Sequence, residues 1–422
     1  MTHPGRVGYG RSIPGRRDCR RTVVWVELAS GDRLTVEGIM TKTRWWQLLA
    51  ALLALTVLAA ACGDSDDDAG DESGDGAEEA ATEDTAADGE GESEVTLVQG
   101  EGSLLEAVQE RGTLRCGVSG AAVAFSETQA DGSVTGFDAD FCRALAAAVI
   151  GDANAVEFTA LTAAERFTAL SAGDVDVLFR NTTWTQSRDT DLALDFGPTT
   201  YYDGQQVMGR ASDGFSADST IADLEGAVVC TNAGTTTELN ISEATAAEGV
   251  TITLNTFEDF EIVMEQFLAG SCDVVTTDGS GLVGNKAQLQ PEGEEWFIFP
   301  GQPISKEPLG PAYVQNDSIW ADVVNWLVYA LIIADEKGVT SANAAEMAAT
   351  PPDDEVARLL GGEGELQTVM GLPADAWLQA ISQVGNYDEI YEANLVPVGL
   401  TREGSFNAPF TEGGLIYANP AR

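Results

Sequence analysis

Strand-length and helix-length segments alternate along residues 103–340, each with its own spacing of apolar side chains. Residues 113–118, 156–159 and 175–179 have the length and polar boundaries of strands. Between and before them, 104–109, 138–149 and 164–171 carry helical spacing. In the second of these helices Phe141, Leu145 and Val149 fall on one face, and Asp138 is placed to cap it. A second cycle follows, with strands at 227–230, 251–254 and 272–277 and a helix at 258–269. Another helix opens after the turn Gly234-Thr235-Thr236-Thr237-Glu238. This alternation predicts βαβ units and a mainly parallel sheet.

The two cycles echo each other. In the first, a helix runs out at Gly173, Asp174 starts a strand, and Asn181-Thr182-Thr183 follows it. In the second, Gly270 and Asp273 lead into a strand that reaches Thr276-Thr277-Asp278. The pattern predicts two similar lobes, each presenting polar residues at the carboxyl end of a strand, where α/β folds place ligands. Segments 195–208 and 304–313 read as extended crossovers between them. Residues 319–336 form a long, nearly all-round apolar helix, capped by Asp317 or Ser318 and ended by Gly338, with Trp320, Trp326 and Tyr329 as core. The tail from 340 holds short helical pieces at 353–360 and 374–383 and is expected to pack on the first lobe.

The N-terminal quarter follows another logic. Residues 1–39 are Arg-rich without sustained periodicity and read as an extension, with Met40 the expected start of translation. Residues 40–61 give a charged start (Lys42, Arg44), an apolar stretch from Trp45, and small residues before Cys62, the marks of an export signal. That placement of Cys62 resembles the lipobox of bacterial lipoproteins and implies a lipidated cysteine. An uncleaved membrane anchor is the alternative. Residues 63–94 contain only Gly, Ala, Ser, Thr, Asp and Glu, so 62–100 is expected to be a disordered acidic tether.

Composition narrows the chemistry. The formal net charge is −46 although seven arginines lie in the first forty residues, so the rest is strongly acidic and a nucleic-acid role is excluded. His3 is the single histidine. Downstream of it no imidazole is available for triad catalysis or metal ligation, so no catalytic residue, metal site or cofactor is expected. With Cys19 and Cys62 set aside, four cysteines remain, and an exported chain favours disulfides. Of the three pairings, one bridge per cycle is expected, Cys116–Cys142 and Cys230–Cys272, against the alternative of four free thiols.

A candidate site emerges from the strand ends. Residues 180–189 (Arg-Asn-Thr-Thr-Trp-Thr-Gln-Ser-Arg-Asp) gather hydroxyls, an amide and two guanidiniums. Arg188 is suited to hold a carboxylate with help from Thr183, and the helix start at Gly234-Thr235-Thr236 adds N–H donors. Asp278, at the matching strand end, would take an ammonium. Each group also has a plainer role: Arg188 in an ion pair with Asp189 or Asp191, Asp278 as a loop cap, and Gly-Thr-Thr as only a turn. Together they set opposite charges on facing strand ends, as an α-amino acid requires.

From Gly112 to Tyr417 the chain resembles the solute-binding proteins of bacterial polar amino acid ABC transporters, especially the general L-amino acid-binding branch. The resemblance rests on Gly112-Thr-Leu-Arg-Cys-Gly-Val, Gly136-Phe-Asp-Ala-Asp-Phe-Cys-Arg-Ala and Arg166-Phe-Thr-Ala-Leu. It continues through Arg180-Asn-Thr-Thr-Trp-Thr, Gly234-Thr-Thr-Thr-Glu-Leu-Asn, Ile304-Ser-Lys-Glu-Pro-Leu-Gly-Pro and Val384-Gly-Asn-Tyr-Asp-Glu-Ile. It implies an α/β, two-lobed periplasmic-binding-protein-like fold (type II) with paired hinge strands and a cleft, residues 101–203 plus 306–422 forming one lobe and 204–305 the other. By similarity Arg188 matches the carboxylate-binding Arg, Thr183 a hydroxyl in contact with ligand, Thr236 a donor from the second lobe and Asp278 the ammonium-binding acid. Arg180 and Asn181 would line the same strand end, and Phe125 lies where an aromatic lid is usual. The loop from Ser119 to Phe125 carries small residues where relatives place an acid, which fits broad specificity. The implied protein is an extracytoplasmic, lipid-anchored monomer that delivers L-amino acids to a permease driven by ATPase subunits. The alternatives are an exported dehydratase-like enzyme, with Glu165 as its acid, and a sensor without transport.

Overall fold

A computed structural model describes residues 103–422. The expected extension, signal segment, Cys62 and the whole acidic tether lie outside the described residues.

Two five-stranded sheets share one strand order. In the first, the sequence across the sheet is Val156–Ala160, Leu114–Val118, Val177–Leu178, Ala312–Val314, Leu194–Phe196. In the second it is Thr253–Phe257, Val228–Asn232, Val274–Asp278, Gln205–Arg210, Trp296–Phe299. The first three strands of each are parallel, and the last two run against their neighbours. The expected βαβ cycles are therefore present, but each sheet is mixed rather than mainly parallel. The reason is topological: the fourth place in each sheet is filled by a strand arriving from the other lobe.

That exchange makes the hinge. The chain leaves the first sheet through Tyr201–Asp203 and returns through Glu307–Leu309, and these two strands pair antiparallel, Glu307 opposite Asp203 and Leu309 opposite Tyr201. Pro308 is tolerated because a two-stranded ribbon has free edges. These are the segments that read as crossovers in the sequence.

Helix Phe137–Ile150 is the centre of the first lobe. It lies against Leu114–Val118 on one side and Ser318–Glu336 and Ala376–Val384 on the other, inside one continuous apolar core. The expected tail helices do pack here, and Tyr387 and Tyr391 complete the core. Ser318–Glu336 is apolar and long enough to cross a membrane by composition alone, yet Trp320, Val323, Val324, Leu327 and Leu331 are fully buried against the rest of the lobe. Asp317 caps it, accepting from the Trp320 N–H at 2.9 Å. In the second lobe two apolar clusters cover opposite faces of the sheet, around Met264, Phe267 and Trp296 on one face and Leu224, Ile241 and Phe299 on the other.

The bridges Cys116–Cys142 and Cys230–Cys272 are both formed, one per lobe. One expectation fails locally. Asp138 does not cap its helix: the cap is Gly136, at φ +130°, where a side chain would run into the Phe125 carbonyl. Asp138 lies one residue inside the helix, and its carboxylate is turned towards the strand end of Asn181. The strand read at 175–179 is confined to Val177–Leu178, because the chain already bends towards the hinge beyond Phe179. A helix over Gly279–Leu289 was not legible, since its first turn is Gly-Ser-Gly.

Candidate functional site

The carboxyl ends of the parallel strands of both lobes converge on one cavity of about 80 Å³, enough for several waters or a small solute. From the first lobe it is lined by Arg166, Arg180, Asn181 and Thr183, and from the second by Thr236, Asp278, Ser280 and Asn285. Ser119 and Phe125 also border it. Phe125 belongs to the core more than to a lid, with its ring edge-on to Phe137 and Tyr201 at centroid distances of 5.8 and 5.3 Å.

Local backbone chemistry sets these side chains. Asn181 adopts φ +36°, a left-handed conformation that asparagine tolerates better than most residues, and its N–H is held by Asp138 Oδ2 at 2.7 Å. Thr183 bridges to Leu309 of the hinge. In the second lobe Thr235 caps helix Thr236–Glu248, accepting from the Glu238 N–H at 3.1 Å. That cap leaves the N–H of Thr236 among those no intrahelical carbonyl can reach, a natural anion donor.

Arg188 is close but set back. It does not line the cavity; its Nη1 donates to the Thr183 carbonyl at 2.8 Å and its guanidinium lies over the Phe167 ring. It makes no ion pair with Asp189 or Asp191; Asp189 accepts instead from Trp184 Nε1 at 2.7 Å. The guanidiniums on the cavity wall are those of Arg180 and of Arg166, which is 3% exposed with its Nε unpartnered. Sequence reading passed over Arg166 except as part of a motif. One signal was available: Arg166 is the first residue of its helix, where a cation opposes the helix dipole.

A second residue passed over is Glu307. It is buried at the hinge, and four donors satisfy it: Thr183 Oγ1 at 2.6 Å and Thr236 Oγ1 at 3.0 Å to Oε2, Asn240 Nδ2 at 2.7 Å and Ser305 Oγ at 2.6 Å to Oε1. Its place before Pro308, in an otherwise extended crossover, was the only hint.

Electrostatically the site is polarised. Burial, then repulsion from Arg180 and Arg188, holds the Arg166 guanidinium well below its usual range. Burial lowers Arg180 to about 10 and also lowers Arg188. Asp278 is pushed well up by burial and by the neighbouring Asp203 and Glu307 carboxylates, and Asp203 itself to about 6, mainly by burial. Asp278 Oδ1, like Arg166 Nε and Asn181 Oδ1, has no partner among the described residues. Leaving such buried groups unmade costs about 1–3 kcal/mol each, so the arrangement is suited to a guest bearing both an anion and N–H donors.

Glu165 lies outside the cavity lining, its exposed carboxylate accepting from Thr162 Oγ1 at 2.9 Å. Among the described residues no cluster of His, Cys, Asp or Glu is arranged to hold a metal.

Residues 114–396 match the family described as bacterial extracellular solute-binding proteins, family 3. The chain is 45% identical over 323 residues to the glutamate/glutamine/aspartate/asparagine-binding protein BztA of Rhodobacter capsulatus, covering 76% of this chain and 94% of that protein. It is 43% identical over 325 residues to the general L-amino acid-binding periplasmic protein AapJ of Rhizobium johnstonii, covering 76% and 93%. Among solved structures it superimposes on an ABC transporter periplasmic binding protein from Brucella ovis with glutathione bound, at TM-score 0.72 and 42% identity, covering 76% of this chain and 99% of that one. The fold is thus the two-lobed, type II periplasmic-binding architecture.

Proposed function

This chain belongs to the bacterial extracellular solute-binding proteins, family 3, and we propose that it is the receptor of an ABC importer for free L-amino acids of varied side chain. The observation that carries the reading is the pair of buried, unpartnered groups of opposite charge in one cavity, Arg166 Nε and Asp278 Oδ1. The ligand carboxylate goes to the guanidinium side, where Arg166 and Arg188 concentrate positive charge and the Thr236 N–H adds a donor. The ligand ammonium goes to Asp278 in the other lobe, so binding draws the lobes together about the hinge strands. The names of BztA and AapJ, both amino acid binders, support this ligand class.

The chain acts as a binder without catalysis. It is held at the extracytoplasmic face of the membrane by lipid on Cys62, with residues 62–100 as tether. It works as a monomer with a permease and its ATPase subunits. Residues 101–203 and 306–422 move as one lobe, and 204–305 as the other.

Isothermal titration of the exported chain with the twenty L-amino acids tests the reading. One-to-one heats with several of them, and ligand recovered unchanged by mass spectrometry, are expected. Absence of heat with all twenty, or a new product, overturns it. An N-terminal acylated peptide beginning at Cys62 is the expected result of mass spectrometry on membrane fractions.

A further inference from the structure

Thr183 and Thr236 reach the cavity from opposite lobes, and the same carboxylate oxygen, Glu307 Oε2, accepts the hydroxyl hydrogen bond of each. A threonine hydroxyl has one proton to donate and two lone pairs. Once the proton is committed to Glu307, the oxygen can offer the cavity only lone pairs. The commitment is enforced from behind, because Oε1 is occupied by Asn240 Nδ2 and Ser305 Oγ. Four donors fill the four acceptor sites of the carboxylate, two on each oxygen, and Glu307 makes no ion pair among the described residues that would compete.

We infer that Glu307 is a positioning residue for ligand polarity: it turns the Thr183 and Thr236 hydroxyls into acceptors, which with Asp278 build a subsite for an ammonium group. The inference rests on the amino acid reading above and sharpens it. It also revises the expectation that the Thr183 hydroxyl helps Arg188 hold the ligand carboxylate. A carboxylate placed against the two threonine hydroxyls would meet lone pairs. An ammonium, with three N–H donors, meets Thr183 Oγ1, Thr236 Oγ1 and Asp278 Oδ1 with matching polarity. The carboxylate is left to the guanidiniums and the Thr236 backbone N–H. Glu307 sits on a hinge strand and is bonded to side chains of both lobes, so this polarity is established as the lobes come together.

The test compares L-glutamate with (S)-2-hydroxyglutarate, which replaces the ammonium by a hydroxyl and keeps both carboxylates. Titration calorimetry on the wild type, Glu307→Gln and Thr236→Val gives the ratio of the two affinities in each. The wild type is expected to prefer L-glutamate by at least about 100-fold, because a buried acceptor set rejects a ligand lacking the donors. In Glu307→Gln the new amide can donate to one threonine, whose proton then turns to the cavity, and the preference is expected to fall about 10-fold. Thr236→Val, which removes one of the two hydroxyl acceptors and keeps the side chain's shape, is expected to shift the ratio about 3-fold in the same direction. A purely structural role would weaken both ligands alike and leave the ratio unchanged. An unchanged ratio in Glu307→Gln overturns the inference, and if that variant does not fold, an unchanged ratio in Thr236→Val does so. Failure of the wild type to bind L-glutamate at all overturns the amino acid reading, and this inference with it.

Discussion

The Asp138 carboxylate accepts the backbone N–H of Asn181 at 2.7 Å and thereby fixes the left-handed turn that aims Asn181 into the cavity. Asp138 is itself buried, and desolvation raises its pKa to about 7 despite the Asn181 bond and the nearby Arg180. In the unfolded chain it titrates near 3.8. Between these values the folded state keeps a proton that the unfolded state has lost, so the stability this group confers is complete below about 4 and is lost as pH rises through about 7. Asp203, raised to about 6, acts in the same direction over a narrower window. Denaturant unfolding of the ligand-free wild type and of Asp138→Asn, from pH 4 to 8, is expected to show the variant gaining relative stability as pH rises. The gain is at most on the order of 4 kcal/mol, at 1.36 kcal/mol per pKa unit. A constant difference across that range would count against it.

Arg166 illustrates a site held at the expense of stability. Its guanidinium is buried, repelled by Arg180 and Arg188, and short of a partner at Nε. Arg166→Met is expected to raise the melting temperature of the ligand-free protein, by about 2 °C for each kcal/mol recovered. The same change is expected to weaken amino acid binding at least 10-fold, as loss of a charge-assisted bond does. A fall in melting temperature in calorimetry would mark the guanidinium as a net stabiliser instead.

Arg188 is set back from the cavity wall, behind the Thr183 carbonyl, yet its positive charge is directed to the same space. Arg188→Ala removes both the charge and the support of Thr183, and about 100-fold or greater loss of amino acid affinity is expected by titration. Arg188→Lys restores the charge without the fork and should recover only part of it. Wild-type affinity in Arg188→Ala would remove this residue from the site.

Binding should release protons. Asp278 is pushed well above the ordinary aspartate range by burial and two neighbouring carboxylates, and a bound ammonium favours its ionised form. Affinity for L-glutamine is therefore expected to increase with pH over the interval in which Asp278 still carries a proton in the free protein. Calorimetry at one pH in buffers of different ionisation enthalpy reads the released protons directly. Asp278→Asn should release fewer, and equal release by the two proteins would place the titrating group elsewhere.

The sequence made the repeating architecture readable because it is written in local pattern. The Gly-Asp-strand-polar units ending at Thr183 and Asp278 do occupy matching positions in two sheets of the same strand order. The four-cysteine pattern likewise pairs within lobes, since Cys116 and Cys142 belong to one strand–helix unit, while Cys230 lies in Val228–Asn232 and Cys272 just before the neighbouring strand Val274–Asp278. The reversal of the Gln205–Arg210 and Ala312–Val314 strands was hidden, because it depends on which lobe a crossover enters rather than on any local spacing. The same holds for Glu307. Its partners Thr183 and Asn240 lie 124 and 67 residues away, and no periodicity links them. Arg166 was visible as a residue but not as a candidate for the site, because its burial and its unpartnered Nε are properties of the assembled cleft.

The central claim is that the cavity grips both ends of a free amino acid, a carboxylate on the arginine side and an ammonium at Asp278. Titration of the wild-type chain with L-glutamine, N-acetyl-L-glutamine and L-glutamine amide addresses both ends at once. The account predicts saturable binding of L-glutamine and about 100-fold or weaker binding of each blocked form, since each leaves one buried group without its partner. Equal affinity for either blocked form would contradict it.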